Sequence, residues 1–286
     1  LVKEIQRLAD DELDILGISC PPGIGKTTLA LFAVSWFGGR DPEHSILMGS
    51  HSNSLLQGVY GEMLRIVSPG GEYLFNDVFP GSPLTKTNAK DMRLNLGETK
   101  RFDTFEFASI GSGNAGRVRA SGLLYCDDLV DGIETAMNKD RLDKLWAMYT
   151  TDYRQRKLGK AKELHIATRW SIHDVMGRLE DMYEGNPRAE FIRMPALDEN
   201  DESLWDYPMN LGYSTETLHE QRNVMDDASW KALYMNEPIE RDGRLYDPNE
   251  LRRYFALPDG EPDAVISVVD TKEQGSDYCV MPVAYV

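Results

Sequence analysis

The chain has 286 residues and a formal net charge of −16, with 47 acidic against 31 basic side chains. That length can bury a sizeable core, as one large domain or one domain and a fragment. The acidic balance excludes a protein that binds nucleic acid over its whole surface, but leaves room for a local basic track. Cys20, Cys126 and Cys279 sit in or beside apolar runs without paired spacing, and no apolar stretch approaches the roughly 18 residues of a membrane span. No disulfide framework, zinc site, membrane span or secretion signal is therefore expected, and a reducing intracellular setting is.

Residues 14–19 (DILGIS) read as a short apolar strand and residues 27–36 as a helix. Between them runs Cys20-Pro21-Pro22-Gly23-Ile24-Gly25-Lys26-Thr27-Thr28. Strand, glycine-bearing loop and helix in this order read as a phosphate-binding loop. Glycines let backbone N–H groups turn inward around an anion, Lys26 reaches the β- and γ-phosphates, and the Thr27 hydroxyl holds Mg²⁺. Pro22, Gly23, Ile24, Gly25, Lys26, Thr27 and Thr28 are the candidate ATP-binding residues. Cys20 stands where the pattern has its leading glycine. No arginine lies within the loop, so a further cation should come from elsewhere in the chain or from a neighbouring subunit.

Residues 45–50 (SILMGS) form a second strand, followed by a helix over 54–67 whose Leu55, Val59, Met63 and Ile66 recur at helical spacing as core positions. Residues 68–83, rich in Gly and Pro, are loop. Residues 102–110 have strand character, and 111–116 (GSGNAG) form a loop leading to Arg117 and Arg119. A cation delivered by that loop to a transferring phosphate is worth about 10³ to 10⁵ in rate. Residues 122–128 (GLLYCDD) follow, an apolar run expected of a parallel strand covered on both faces. Asp127 then lies at the carboxyl end, where open α/β sheets bind ligands. Asp127 is assigned to Mg²⁺, directly or through water, and Asp128 to orienting or deprotonating the attacking water. The alternative is a helix start capped by acids. A helix around 140–149 and a strand over 164–168 complete the alternation. Two cation-rich groups, Lys86 to Arg119 and Arg154 to Lys162, are either a grip on a phosphate backbone or ordinary solvated surface.

The run from Ala167 to Leu179, ATRWSIHDVMGRL, resembles the Thr-Arg-Trp segment that follows the acidic strand in large terminase subunits, the genome-packaging motors of tailed bacteriophages. Met194-Pro195-Ala196-Leu197 and the stretch from Trp230 to Pro238 (WKALYMNEP) resemble later landmarks of that family, and 50–65 resembles its helix after the second strand. The resemblance implies an α/β P-loop NTPase of the additional-strand, catalytic-acid class, with a mainly parallel sheet flanked by helices. It divides the chain into an ATPase core (1–194), a lid or linker subdomain (195–258) and the truncated start of a ribonuclease H-like nuclease domain (259–286). Thr168 becomes the coupling residue that senses the γ-phosphate, with the plain alternative of a β-branched residue ending a strand. Arg117, slightly preferred, or Arg119 becomes the finger acting on a neighbour's ATP. Trp170 is expected to pack structurally, and His173 to cap or lie at the surface. Residues 264–270 (AVISVVD) resemble the first nuclease strand with Asp270 as its first metal ligand, and 280–286 the return strand. Further carboxylates for a two-metal site would lie in a longer natural protein, whose endonuclease would use Mg²⁺ or Mn²⁺.

The implied function is ATP-driven translocation of double-stranded viral DNA into the procapsid. The implied partners are that DNA, the portal protein, the small terminase subunit and further copies in a ring, with a pentamer as the expected size. The setting is the host cytoplasm at the portal vertex, away from membranes. Two other readings stay open: a superfamily 2-like DNA translocase or helicase, and a nucleotide-dependent assembly scaffold with weak hydrolysis.

Overall fold

The computed structural model of the chain describes residues 1–112, 118–238, 263–268 and 283–285. It divides into two compact units, Leu1–Arg241 and Asp242–Val286. The first begins with α1 (Val2–Ala9), β1 (Ile15–Ser19), α2 (Lys26–Arg40), β2 (Ile46–Ser50) and α3 (Asn53–Val67). A one-turn α4 (Phe75–Val78) precedes β3 (Leu84–Asn88), β4 (Arg93–Leu96), β5 (Phe105–Phe107) and β6 (Leu123–Asp127). Then come α5 (Ile133–Ala136), α6 (Lys139–Met148), a π-helical turn (Tyr149–Tyr153), β7 (Lys162–Ala167), α7 (Val175–Met182) and β8 (Ala189–Arg193). The unit closes with a small hairpin, β9 (Asp206–Tyr207) and β10 (Leu211–Gly212), and the helices α8 (Thr215–Val224) and α9 (Asp227–Leu233). No helix among the described residues is long and apolar enough to cross a membrane.

Eight strands make one sheet in the order β3-β4-β5-β2-β6-β7-β1-β8. From β5 to β8 every neighbouring pair is parallel, and the β3–β4 and β4–β5 pairs at one edge are antiparallel. The strands read as unbroken apolar runs because both faces are covered. Leu16, Ile18, Ile46, Met48, Leu123, Tyr125, Leu164 and Ile166 join one core with residues of α1, α2 and α3. Their alternate neighbours Ile15, Leu47, Leu124 and Cys126 join a second core with Leu142, Leu145 and Leu179 of α6 and α7.

The structure moves several sequence expectations. Helix α3 starts one residue earlier than expected, at Asn53, where Ser52 caps it by accepting a hydrogen bond from the Leu55 N–H. Its buried face is Leu56, Tyr60, Met63, Ile66 and Val67, whereas the predicted core residue Leu55 is 48% exposed. The helix is rotated because Tyr60 stacks edge-on against Phe107 of β5. The loop over 68–83 contains α4, held by buried Phe75 against Phe79. Of the strand expected over 102–110 only three residues are strand, although the Ala108 and Ile110 amides still donate to Met48 and Ser50 carbonyls. The β3–β4 hairpin has no counterpart in the predicted elements, since its polar, mostly exposed β3 carries no periodic apolar signal.

Two landmarks far apart in sequence meet in space. The Ala196 N–H donates to the Tyr234 carbonyl, Asn236 to the Met194 carbonyl, and the Trp205 indole to the Pro195 carbonyl. Trp230 and Tyr234 stack at 4.7 Å and 9°. Residues Ala196, Leu197, Trp205, Leu218, Trp230 and Tyr234 thereby share the core of α1 to α3. In the second unit, β11 (Val265–Ser267) pairs antiparallel with β12 (Val283–Tyr285), inside the two segments expected as a strand and its return. Asp270 lies outside the described residues.

Most cations of the two basic groups are committed within the chain. Lys86 pairs with buried Asp103, Lys100 donates to Leu96 and Pro42 carbonyls, Arg156 pairs with Asp152, and Lys162 with Asp11 and Asp14. Arg154 and Lys157 converge at 2.9 and 2.6 Å on Glu163 of β7, which is fully buried and also accepts from the Tyr149 hydroxyl at 2.7 Å. Burial alone would raise the Glu163 carboxyl, but His165, Lys157 and Arg154 outweigh it and hold the group well below the usual range. A carboxyl depressed in the fold contributes stability above its unfolded pKa and loses it as the pH falls toward the folded value. Glu163→Ala, which leaves two buried-side cations without their carboxylate, should destabilise the chain by about 3–5 kcal/mol in urea unfolding at neutral pH. The gap between variant and wild type should narrow as the pH drops below about 4.3.

Candidate nucleotide-binding site

Register in the sheet assembles the site. β7 lies between β1 and β6, pairing Ser19 with Ala167 on one side and Asp127 with Ile166 on the other. The residues that follow these strand ends, the glycine loop after β1, Asp128 after β6 and Thr168 after β7, are therefore brought to one end of the sheet. They surround a cavity of about 460 Å³, a size suited to a small ligand.

The loop between β1 and α2 has the backbone the sequence requires. Gly23 and Gly25 have φ of 75° and 91°, the left-handed region where a side chain is strained. The Tyr213 hydroxyl also packs where a Cβ on Gly23 would project. Cys20 is not among the residues of positive φ, so its position makes no demand for glycine. Its side chain is buried in the core, and burial pushes its thiol up to about 11, away from thiolate chemistry. Gly25 is the N-cap of α2, so the start of this 15-residue helix faces the cavity with its orphan N–H groups, an anion-binding arrangement. Pro22, Gly23, Gly25, Lys26, Thr27 and Thr28 all line the cavity, whereas Ile24 packs against the core.

Lys26 is buried and its ammonium is surrounded by oxygen. It donates to the Pro21 carbonyl at 3.1 Å, the Cys20 carbonyl at 3.5 Å and Thr168 Oγ1 at 2.5 Å, and lies 3.9 Å from Asp128 Oδ2. Asp128 Oδ1 in turn accepts the Thr168 N–H at 2.7 Å. Lysine, threonine and aspartate, drawn from three segments of the chain, thus form one connected group. Asp128 has φ of 34°, a conformation that costs a non-glycine residue about 1–3 kcal/mol. The Asp128 N–H donates to the Ile166 carbonyl at 3.2 Å, and its own carbonyl accepts from His51 Nδ1 at 2.8 Å.

Asp127 does not line the cavity. Burial, and then repulsion from Asp128, push its carboxyl up to about 7. Its buried Oδ1 makes no hydrogen bond at the usual distance, although the Tyr125 hydroxyl is near enough to draw the carboxyl down in part. An unpaired buried acceptor of this kind is what a magnesium-bound water would satisfy. Among the described residues no cluster of three His, Cys, Asp or Glu side chains could hold a metal alone. Of the two predicted Mg²⁺ ligands, the Thr27 hydroxyl lines the cavity and could reach an ion there directly, whereas Asp127, set back from it, would act through water.

The remaining candidates separate. Arg119 is half-buried, its N–H donating to buried Glu106 at 2.9 Å, and it does not line this cavity; Arg117 lies outside the described residues. No arginine is among the described cavity residues. Burial pushes the Glu106 carboxyl up to about 7. Arg169 is buried and paired with Asp174 and Glu180, a structural role. Trp170 packs against the second core, as expected, and also lines the cavity. His51, Val130, Asp131, Gly132 and Leu233 are cavity residues without a predicted role. The sequence signal for His51 is that it directly follows a predicted strand, at the carboxyl end where such sheets bind ligands, while its place beside β6 is decided by the fold.

No protein-family model matches the chain, and no curated protein matches it in sequence. Its fold does have solved counterparts. The crystal structure of the HK97 bacteriophage large terminase is 12% identical and superposes with a TM-score of 0.52 over 82% of this chain and 50% of that one. This chain thus spans half the length of the HK97 protein. A mutant ATPase domain of the Thermus phage P74-26 large terminase is also 12% identical, with a TM-score of 0.45 over 82% of this chain and 93% of that one. The chain therefore has a large terminase-like fold, mixed α/β with a mostly parallel sheet flanked by helices.

Proposed function

We propose that the chain is an ATP hydrolase and the motor part of a large terminase, which drives double-stranded viral DNA into a procapsid. The observation that supports this most is the convergence of Lys26, Thr168 and Asp128 at the end of a glycine loop and a helix start. Backbone N–H groups from Gly23 to Thr28 would cradle the phosphates and Lys26 would reach the terminal ones. Thr27 and Asp127 would hold Mg²⁺, which when bound neutralises charge between the β- and γ-phosphates. Asp128 would orient and accept the proton of the attacking water.

In this reading Thr168 reports the phosphate. The same hydroxyl that holds Lys26 belongs to the residue whose N–H holds Asp128. A terminal phosphate that takes Lys26 for itself releases the hydroxyl and changes the setting of the acid. Residues 195–238, which share the core of α2, would carry the change onward as the lid. Arg117 or Arg119 would act on the ATP of an adjacent copy, which fits a cavity with no arginine among its described residues. The natural protein would continue into a ribonuclease H-like nuclease that cuts concatemeric DNA, with Asp270 as its first ligand. Portal protein and small terminase subunit would be its partners at the portal vertex in the host cytoplasm. Because Lys86, Lys100, Arg154, Lys157 and Lys162 have internal partners, the grip on DNA would fall to other cations such as Lys90, Arg101 and Lys160. Such contacts read the phosphate backbone and need no sequence.

Lys26→Ala should lower kcat for ATP by about 10² to 10³, the size expected for losing one fixed donor to the reacting phosphate. Phosphate release by the purified chain at rising concentration measures this, and unchanged hydrolysis would refute the site. Arg117→Ala and Arg119→Ala separate the two finger candidates. One of them should retain nucleotide binding and lose about 10³-fold or more of the turnover seen when copies associate. A procapsid packaging assay in the presence of portal distinguishes a packaging motor from a helicase: packaging without strand separation is the expected result.

A further inference from the structure

Asp128 is the strained residue of the site, and strain of this kind persists only where the surroundings over-determine it. Its two ties toward β7 are the N–H to the Ile166 carbonyl at 3.2 Å and the carboxylate accepting the Thr168 N–H at 2.7 Å. On the other side of β6 lies β2, whose Ser50 stands opposite Asp127 in the ladder. His51 comes next, and its Nδ1 is 2.8 Å from the main-chain carbonyl oxygen of Asp128. A carbonyl oxygen only accepts, so Nδ1 carries the proton and the tautomer is set. The half-buried ring lines the same cavity as Lys26, Thr27 and Asp128.

We propose that His51 is a positioning residue for hydrolysis: its Nδ1–H pins the Asp128 peptide from the β2 side, so that the carboxylate keeps its aim at the attacking water. The inference rests on the reading of this cavity as an ATP site. The tie from β7 runs through Thr168, which also holds Lys26 and so must rearrange when a phosphate claims that lysine. The tie from β2 involves neither phosphate nor lysine, and it is the one that stays in place while the other changes. His51 therefore acts through the acid and leaves nucleotide affinity to the loop.

His51→Phe keeps a ring and removes the donor, while His51→Asn restores an N–H that can reach the same carbonyl. Steady-state hydrolysis and equilibrium ATP binding on the full chain, with a melting curve for each variant, test the assignment. The phenylalanine variant should lose about 10- to 100-fold in kcat, the scale of a catalytic group displaced by a fraction of an ångström to 1 Å, with ATP affinity within about threefold of wild type. The asparagine variant should recover most of the loss. If the ring of phenylalanine prevents folding, His51→Ala carries the same expectation. A kcat within twofold of wild type in the donor-less variant overturns the proposal, as does an asparagine variant as impaired as phenylalanine, or a loss confined to ATP affinity. Absence of Lys26-dependent hydrolysis in the wild-type chain would instead remove the ATPase reading beneath it.

Discussion

Everything at the site depends on one strand being interposed between two others. Had β1 and β6 been neighbours, the lysine after one and the acid after the other would face each other directly, with no residue between them. With β7 inserted, Thr168 stands between Lys26 and Asp128 and bonds to both, by its hydroxyl to one and its N–H to the other. The ammonium is held by uncharged oxygens and lies 3.9 Å from the carboxylate, short of a tight ion pair. In the proposed ATP reading, a phosphate would take this lysine without leaving an unpaired buried carboxylate behind.

The same strand carries the opposite kind of constraint at its other end. Glu163 enters β7 fully buried and is kept ionised by Arg154, Lys157 and His165. This ties the π-helical turn and the segment after α6 to the start of β7, while Thr168 works at its finish. Arg154 and Lys157, which look like part of a surface grip in a linear sequence, are spent on that anchoring, so charge clusters in sequence are weak guides to surface potential in a protein this acidic.

Several departures from the expected pattern have local physical explanations. Cys20 replaces a glycine at a position that needs no left-handed backbone, whereas Gly23 and Gly25 remain where that conformation is required. The helix after β2 turns its face by one position because an aromatic pair with β5, Tyr60 against Phe107, decides the packing that spacing alone leaves ambiguous. The β3–β4 hairpin escapes periodicity because an edge strand with one polar face looks like loop.

What was legible in sequence was what is written locally: the glycines and lysine of the loop after β1, the unbroken apolar strands that signal a sheet covered on both faces, and the acidic pair at the end of β6. These follow from backbone freedom, side-chain period and charge, which act over a few residues. The order of the strands acts over more than a hundred residues, from Lys26 to Thr168, and only the folded sheet decides it. That order makes Thr168 the partner of both Lys26 and Asp128, brings His51 onto the Asp128 carbonyl, and turns Arg154 and Lys157 inward onto the buried Glu163 carboxylate. Such pairings are set by which chain segments become neighbours in space, a property that no local window of residues contains.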